Sequence, residues 1–257
     1  MSSFFPWMGG KSKMVKTILP PIAAHKCYAE VFAGAANLLF AKEKSETEVI
    51  NDINSDLVNL FNVVKFHRRE FIRQLSLLCC SRELFEQFTA QPGVTDIQRA
   101  ASYWYALKSC YGGRITERSF GYSATGRARF NRLCFSQLNR CHKRLASVYI
   151  EHLDFADLIK RYDRSYTLFY CDPPYLDTAG YGNQFGLAEH KQLAGILKTI
   201  KGKFLLSIND HKDIVSLYKG FNIKRISVRY TVSLDKSSKA TNRSELLIAN
   251  YQLKNKT

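Results

Sequence analysis

The feature that most constrains the fold is an alternation of short apolar runs with amphipathic helical stretches. The stretch "KCYAEVFAGAANLLF" predicts a strand over 27–32, a turn of small residues and the start of an apolar helix. The stretch "EVINDINSDLVNLFNVVKFH" repeats this order, with a second strand that ends at Asp52. One face of the helix that follows carries Leu57, Leu60, Phe61 and Val64. Strand, helix, strand, helix is typical of an α/β fold with a parallel sheet.

The middle of the chain interrupts this alternation. Residues 66–108 have helical patterns on both sides of the breaker "AQPGVT", and 108–144 alternates glycines, aromatics and basic residues with the single acid Glu117. The alternation then resumes with strands in "SYTLFYCDPPY" and "KFLLSIND", and "NIKRISVRYTVSL" with "SELLIANYQL" predicts an antiparallel pair. We therefore predict a catalytic domain formed by 1–65 and 145–257, with an inserted target-recognition region at 66–144.

The charge balance indicates the partner. In 257 residues the formal net charge is +16, which favours a polyanion such as nucleic acid through counterion release, although a basic surface kept for solubility or an anionic membrane would also fit. No apolar stretch of eighteen residues and no signal-like N-terminus occurs, so we expect a cytoplasmic protein without membrane contact. Seven scattered cysteines without a CxxC pair favour reduced thiols over disulfides or zinc.

Two strand ends carry residues suited to binding a nucleoside. Gly34 in "FAGAA" lets the backbone approach a ligand closely and precedes a helix start, although a tight turn in any α/β protein would look similar. Asp52 ends the next strand, where its carboxylate can accept hydrogen bonds from both ribose hydroxyls. The alternative is that Asp52 or Asn54 caps the helix beginning near Ser55.

The third strand end, "LFYCDPPY", is the most specific. Pro174 has no N–H donor and restrains Pro173 to an extended conformation, so the Pro173 carbonyl stands beside the Asp172 carboxylate as a second acceptor. Tyr175 adds a ring for stacking. A planar group bearing an NH2 fits this arrangement, because two acceptors draw electron density onto the nitrogen and orient its lone pair toward an electrophile. No metal is required for that chemistry.

The basic stretch after residue 108 suits a loop or hairpin that grips a DNA backbone and wedges a base step. A solvated basic loop is the simpler alternative. The candidate DNA-binding residues are Arg114, Arg118, Arg127, Arg129, Tyr111 and Tyr122, with Phe120 between them.

Six segments together resemble one enzyme family. In order they are "PWMGGKSKM", "EVFAGAANLLF", "NDINSDLVNLFNVVK", "YCDPPY", "LLSIND" and "SELLIANY". Their order and spacing over much of the chain resemble the Dam-type, α group, adenine-specific DNA methyltransferases. The resemblance implies a Rossmann-like S-adenosylmethionine-dependent core with an inserted helical and basic DNA-recognition region. It also implies methyl transfer to the exocyclic amine of a flipped adenine in a short double-stranded DNA target.

The resemblance also assigns roles to residues. It implies that S-adenosylmethionine contacts Trp7, Lys11, Phe32, Gly34, Asp52 and Asp172. It implies that Asp172, Pro173 and Tyr175 hold the adenine, with Pro174 completing the catalytic motif. Without the resemblance, Lys11 could be one more surface lysine and Trp7 a core anchor. Ala36 replaces the second glycine of the usual FxGxG, and "KSCYGGRITERSFGYS" departs from the "NRYGYNGL"-like segment of GATC-reading enzymes, so the target sequence is open.

Other functions share these features. The same core could methylate the amine of cytosine, an RNA adenine or a protein glutamine, although Asp172 and the motif order favour adenine in DNA. A catalytically idle DNA-binding homologue is the alternative of a different class. The presence of all four of the residues Lys11, Asp52, Asp172 and Tyr175 argues against it. We expect a monomer in bacterial cytoplasm or in a phage-infected host, with a cognate restriction enzyme as one candidate partner.

Overall fold

Two βα units at the amino terminus set the frame of the fold. The computed structural model describes residues 1–110, 119–122, 124–126, 128, 130, 134–176, 185–229 and 242–253. A short 3-10 helix at Lys11–Lys13 and helix α1 at Val15–Ile18 precede the first strand. The two units are β1 (Cys27–Glu30), α2 (Asn37–Ala41), β2 (Thr47–Asn51) and α3 (Ser55–Phe66).

Helices fill the middle of the chain before the alternation resumes. Helices α4 (Arg68–Ser76), α5 (Arg82–Ala90) and α6 (Asp96–Ser109) confirm the helical prediction for this stretch, and α7 (Cys134–Leu145) follows. The remaining elements are β3 (Val148–Glu151), α8 (Phe155–Tyr162), β4 (Thr167–Cys171), α9 (Leu187–Thr199), β5 (Lys203–Asn209), α10 (Lys212–Leu217), β6 (Asn222–Arg229) and β7 (Asn242–Ala249).

One seven-stranded sheet organises these elements, in the order β3-β2-β1-β4-β5-β7-β6. The strands from β3 to β5 pair in parallel, and β7 runs antiparallel to both β5 and β6. The predicted α/β class and the predicted antiparallel pair at the carboxyl terminus are confirmed. The chain continues in opposite directions from β1 and β4, so the gap between their carboxyl ends is where such folds bind ligands.

Hydrophobic residues cover both faces of the sheet. One cluster contains the predicted apolar face of α3, all of it at most 1% exposed, together with Tyr28 and Tyr170 from the strands. The other joins α8, α9 and α10 to Phe169 and Phe204. Burial on both faces explains why the central strands are nearly continuous apolar runs.

The middle helices share the first of these clusters. Phe71 of α4 and Trp104 of α6 are fully buried in it beside Phe61 of α3. The Trp104 indole also donates a hydrogen bond to the Phe4 carbonyl at 3.1 Å. These helices therefore pack as part of the same hydrophobic core as the sheet. No helix in the described part of the chain is long and apolar enough to cross a membrane.

Candidate active site

The carboxyl ends of four neighbouring strands bring the candidate residues together. The chain leaves β2 at Asp52, β1 at the turn containing Gly34, and β4 at Asp172. Ser207 lies near the carboxyl end of β5, the strand beside β4. Because these strands are adjacent and parallel, segments far apart in the chain line one edge of the sheet.

A buried ion pair lies at the centre of this edge. Lys11 Nζ is 2.6 Å from Asp172 Oδ1, and the two side chains are only 4% and 17% exposed. The Lys11 ammonium also donates to the Gly9 carbonyl at 3.2 Å and lies 4.6 Å from the centre of the Tyr175 ring. Lys11 is therefore not a surface lysine, and the 3-10 helix delivers its charge to the "DPPY" segment.

The Asp172 carboxylate has one occupied and one open oxygen. Lys11 and the Ser207 hydroxyl, at 3.0 Å, both bond to Oδ1. Within the described ranges no donor reaches Oδ2 or the Pro173 carbonyl. Burial raises the pKa of Asp172, while Lys11 and Ser207 act in the opposite direction. Both donors thus favour the ionised, accepting form of this carboxyl.

Ser207 and Tyr170 belong to the site but were missed by the sequence analysis. The Tyr170 hydroxyl is 2.7 Å from Ser207 Oγ, and both residues are buried. Part of the signal was present: Tyr170 and Asp172 are two residues apart and share a face, and "KFLLSIND" predicts a strand. The pairing of that strand with β4 came only from the structure. Nothing in the residue types marked a serine within an apolar strand as part of a site.

The glycine turn after β1 closes against Trp7. Gly34 has a φ of +48°, and a Cβ at this position would lie 2.7 Å from Trp7 Nε1. Glycine is therefore favoured here for two reasons: the positive φ, and the close approach of the Trp7 indole. Ala36, the residue that departs from the usual motif, has a φ of +50° and precedes α2, so it occupies the left-handed conformation without the freedom of glycine.

Asp52 ties this turn to the next helix. Its Oδ2 accepts from the Gly34 N–H at 2.9 Å and its Oδ1 from the Asn54 N–H at 3.0 Å. Burial raises the pKa of Asp52, and the backbone donors oppose that shift. Asn54 is the residue that caps α3, by accepting from the Leu57 N–H at 3.0 Å. The alternative in which Asp52 is the cap is therefore wrong.

Phe32 borders the turn on the other face of the sheet. Its ring lies 5.8 Å from that of Phe155 and 5.4 Å from that of Phe185, measured between centroids. Phe155 opens α8 and Phe185 precedes α9, so the three rings join loops that follow β1, β3 and β4. Phe32 is half-buried, which leaves part of its ring accessible beside Gly34.

Two buried carboxyl groups near the site were also missed. Burial raises the pKa of Glu30 to about 7, although its Oε1 accepts from the Tyr28 hydroxyl at 3.0 Å and from the Leu39 N–H at 2.5 Å. Burial likewise raises the pKa of Glu245, on β7, to about 7. Sequence patterns do not report burial of single acids, so neither could have been identified beforehand.

Most of the candidate DNA-binding residues lie outside the described residues, namely Tyr111, Arg114, Arg118, Arg127 and Arg129. Tyr122 is described and is 78% exposed. The Arg82 guanidinium, at the start of α5, lies 5.0 Å from the Phe120 ring centre and 5.6 Å from that of Tyr122. These contacts brace the exposed Tyr122 ring against the helical region.

The chain is also similar to known proteins. A family model described as D12 class N6 adenine-specific DNA methyltransferase matches residues 7–232. The DNA adenine methylase of Haemophilus influenzae is 28% identical over 266 residues, covering 90% of this chain and 87% of that protein. The type II methyltransferase M.MjaIII of Methanocaldococcus jannaschii is 26% identical and covers 96% of this chain and 98% of its own length. Among solved structures, a precorrin 8w decarboxylase from Methanobacterium thermoautotrophicum has a TM-score of 0.41 at 9% identity. The match covers 93% of this chain and 87% of that one.

Proposed function

The chain belongs to the D12 class of N6 adenine-specific DNA methyltransferases, and on that premise we propose that Asp172, Pro173 and Tyr175 hold the target adenine for methyl transfer to its exocyclic amine. The observation that carries this proposal is the open pair of acceptors beside the buried ion pair. Asp172 Oδ2 and the Pro173 carbonyl are adjacent in the chain and accept nothing from the described residues.

An adenine amine has two N–H groups, so it matches two acceptors. Accepting from both increases electron density on the nitrogen and directs its lone pair away from the acceptors. The Lys11 ammonium lies over the Tyr175 ring, 4.6 Å from its centre. We propose that the base stacks on the other face of this ring. These residues position the amine and polarise it.

Lys11 favours the ionised form of the Asp172 carboxyl group. Burial alone would favour a protonated Asp172, which would offer one acceptor less, and the adjacent ammonium opposes this. Asp172 need not act as a strong base, because the attacking lone pair exists before the amine loses a proton. Proton loss to the carboxylate or to solvent follows the transfer.

The residues near Gly34 fit S-adenosylmethionine. The backbone N–H groups of Gly34 and Asn54 bond to different oxygens of Asp52. A carboxylate has about four lone-pair positions, so we propose that Asp52 also binds the ribose hydroxyls. Phe32 is half-buried beside Gly34, and the Trp7 indole lies against the same glycine. We propose that the Lys11–Asp172 ion pair lies near the methionyl end of the cofactor. When bound, S-adenosylmethionine supplies an electrophilic methyl group on its sulfonium sulfur. We propose a reaction without a metal ion, since positioning and electrostatics suffice.

The inserted region is proposed to bind double-stranded DNA. The amine of a stacked, paired adenine cannot reach a methyl donor held in a protein cleft, so the base must leave the duplex at a cost of a few kcal/mol. We assign the supply of that energy to phosphate and groove contacts from residues 66–144, whose basic stretch contains the candidate arginines. Residues 1–65 and 145–257 would then form the catalytic part.

Further features of this activity follow from the same assignment. One chain supplies both Lys11 and Asp172, so the site needs no second copy and we propose that a monomer is sufficient. Because the substrate is DNA, we propose that the protein acts in the cytoplasm of a bacterium or of a phage-infected host. The relative named as a type II methyltransferase supports a search for a restriction enzyme that cuts the same target.

The test is to incubate the purified chain with S-adenosylmethionine and unmethylated bacterial genomic DNA and to map modified bases by single-molecule sequencing. We expect N6-methyladenine at one recurring short motif. A blank map with cofactor binding intact would contradict the proposal and favour RNA or a protein amide as substrate. A blank map with DNA binding intact, and no transfer to either of those substrates, would favour an idle homologue.

A further inference from the structure

We propose that Ser207, supported by Tyr170, is a positioning residue that holds Asp172 so that Oδ2 faces the substrate amine. This inference rests on the proposed function and assigns a role in it to a residue of β5. The two donors on Asp172 converge on the same oxygen, Oδ1, and this convergence decides which oxygen is left for the amine.

The sheet places the three side chains on one face. Tyr170 lies in β4, and Asp172 is the first residue after this strand. Because the two are two positions apart in extended backbone, their side chains point to the same face of the sheet. In the parallel pair Cys171 lies opposite Leu206, which puts Ser207 beside Asp172. Backbone hydrogen bonds of two central strands therefore fix the position of the serine hydroxyl relative to the carboxylate.

The direction of the hydrogen bonds follows from the number of protons. A serine hydroxyl has one proton, and at 3.0 Å from Asp172 Oδ1 that proton is donated to the carboxylate. Tyr170, with its oxygen 2.7 Å away, must then donate to Ser207 Oγ. The result is a chain from Tyr170 to Ser207 to Asp172, in which the second bond strengthens the first.

Lys11 alone does not choose between the two carboxylate oxygens. Its ammonium stands at the end of four rotatable carbons and can pair with either oxygen. Ser207 is fully buried on a central strand and can reach only one. We therefore assign to Lys11 the role of keeping Asp172 ionised, and to Ser207 the role of orienting its carboxylate.

This role has a consequence for pH dependence. A hydrogen bond from Ser207 favours the ionised carboxylate, so its removal raises the pKa of Asp172 and moves the acid limb of the kcat profile to higher pH. Among the described residues, six titratable or charged groups interact electrostatically with Asp172: Lys11, Glu30, Tyr170, Cys171, Tyr175 and Glu245. Ser207→Ala leaves all of them in place, so its profile can be compared directly with that of the wild type.

The experiment compares Ser207→Ala and Tyr170→Phe with the wild type, using Ser102→Ala as a control. Ser102 is also buried, at 4% exposed, but lies on α6. With unmethylated genomic DNA, we expect Ser207→Ala to lower kcat by about tenfold to a hundredfold, as expected for a hydrogen bond to a charged group. Tyr170→Phe should lower kcat by about threefold, and Ser102→Ala should match the wild type. The KM for DNA and the Kd for S-adenosylmethionine, measured by calorimetry, should change by less than about twofold, since neither Ser207 nor Tyr170 is assigned to bind either.

A second readout does not depend on turnover. A 13C NMR titration of the aspartate carboxyl carbons, with Asp172 assigned from the Asp172→Asn variant, should show a higher pKa for Asp172 in Ser207→Ala. If the wild type transfers methyl groups and Ser207→Ala retains both its kcat and its acid limb, the positioning role is wrong. An inactive wild type would contradict the proposed function, and an unchanged NMR titration would then separately overturn the assignment of Ser207. A Ser207→Ala variant whose thermal unfolding is lowered no more than that of Tyr170→Phe, but whose kcat falls further, supports positioning over loss of folding.

Discussion

Lys11 Nζ and Asp172 Oδ1 are 2.6 Å apart at the edge of the sheet, although they come from segments far apart in the chain. Lys11 lies in a 3-10 helix before the first strand, and Asp172 follows the fourth. A buried carboxylate without this partner would be protonated over a wider pH range. The amino-terminal segment therefore favours the ionised form of the carboxyl group that we propose receives the substrate amine.

Replacing Lys11 tests this dependence. Lys11→Met keeps the length of the side chain but leaves a buried carboxylate unpaired, so we expect the free energy of unfolding at neutral pH to fall by about 3 kcal/mol. We also expect methyl transfer to fall by at least about 100-fold. Urea denaturation and tritiated methyl incorporation measure the two effects. Lys198→Met, an exposed position on α9, is the control, and equal behaviour of the two variants would contradict the assignment.

Replacing Asp172 separates DNA binding from chemistry. Asp172→Ala should leave the Kd for DNA within about threefold of the wild type, because the proposed phosphate contacts lie in the inserted region. Transfer should be abolished, since the amine loses its charged acceptor. Asp172→Asn is the companion variant, because it keeps the shape and removes the charge. Near-normal turnover by the alanine variant in a methylation assay would exclude the mechanism.

Replacing Gly34 by alanine tests the glycine turn, and the same replacement at Gly195 is the control. Gly34→Ala should lower both stability and cofactor affinity, because φ is positive and the new Cβ would lie 2.7 Å from Trp7 Nε1. Gly195→Ala, on the exposed side of α9 with no heavy atom near its added Cβ, should stabilise the protein by about 0.5–1 kcal/mol. Thermal unfolding and calorimetric titration of S-adenosylmethionine check both. A Gly34→Ala variant that binds the cofactor normally would show that the turn adapts.

Glu30 should make stability depend on pH. Burial raises its pKa from the ordinary glutamate value of 4.5 to about 7 in the folded protein, so between these values the folded state binds more protons than the unfolded state. Stability is therefore lost as the pH rises from about 4.5 to 7, by at most about 3 kcal/mol. Glu30→Gln keeps the acceptor for Tyr28 and Leu39 and removes this loss.

Denaturant unfolding at two pH values distinguishes the outcomes for Glu30. We expect Glu30→Gln to be more stable than the wild type at about pH 8 and similar to it at about pH 5. Glu43→Gln, an exposed position, should give no such difference. A Glu30→Gln variant that is less stable than the wild type at the higher pH would mean that the ionised carboxylate is needed in the fold.

Tyr122 is an exposed candidate DNA-binding residue in the described part of the chain. Its ring is 78% exposed and braced by Arg82, so it is available to stack on a base. We expect Tyr122→Ala to weaken DNA binding by about 1–3 kcal/mol without changing the affinity for S-adenosylmethionine. Tyr166→Ala removes an exposed ring at the amino end of β4, far from the strand ends that carry the site, and should have no effect. Fluorescence anisotropy with labelled duplex DNA tests both variants, and equal affinities would place Tyr122 outside the interface.

The elements of the fold were largely readable from local patterns. The apolar face of α3 was predicted residue by residue, since helical periodicity depends on neighbours three and four apart. The terminal strands were predicted as an antiparallel pair because two apolar runs flank a polar connection. The inserted helices were predicted as elements, but their packing around Trp104 into the same core as Phe4 was not, since that contact joins distant segments.

The sequence by itself determined which strand ends carry the candidate site residues. The residue types in "FAGAA", at Asp52 and in "YCDPPY" restrict the local backbone conformation and the local hydrogen-bond acceptors. Their roles can therefore be predicted from the sequence alone. The tertiary structure alone decided which residues meet: Lys11 with Asp172, Ser207 with the same carboxylate oxygen, and Trp7 with Gly34. The physical reason is that strand order and burial arise only when the whole sheet forms, and it is burial that turns an ordinary lysine and an ordinary serine into the partners of a single carboxylate.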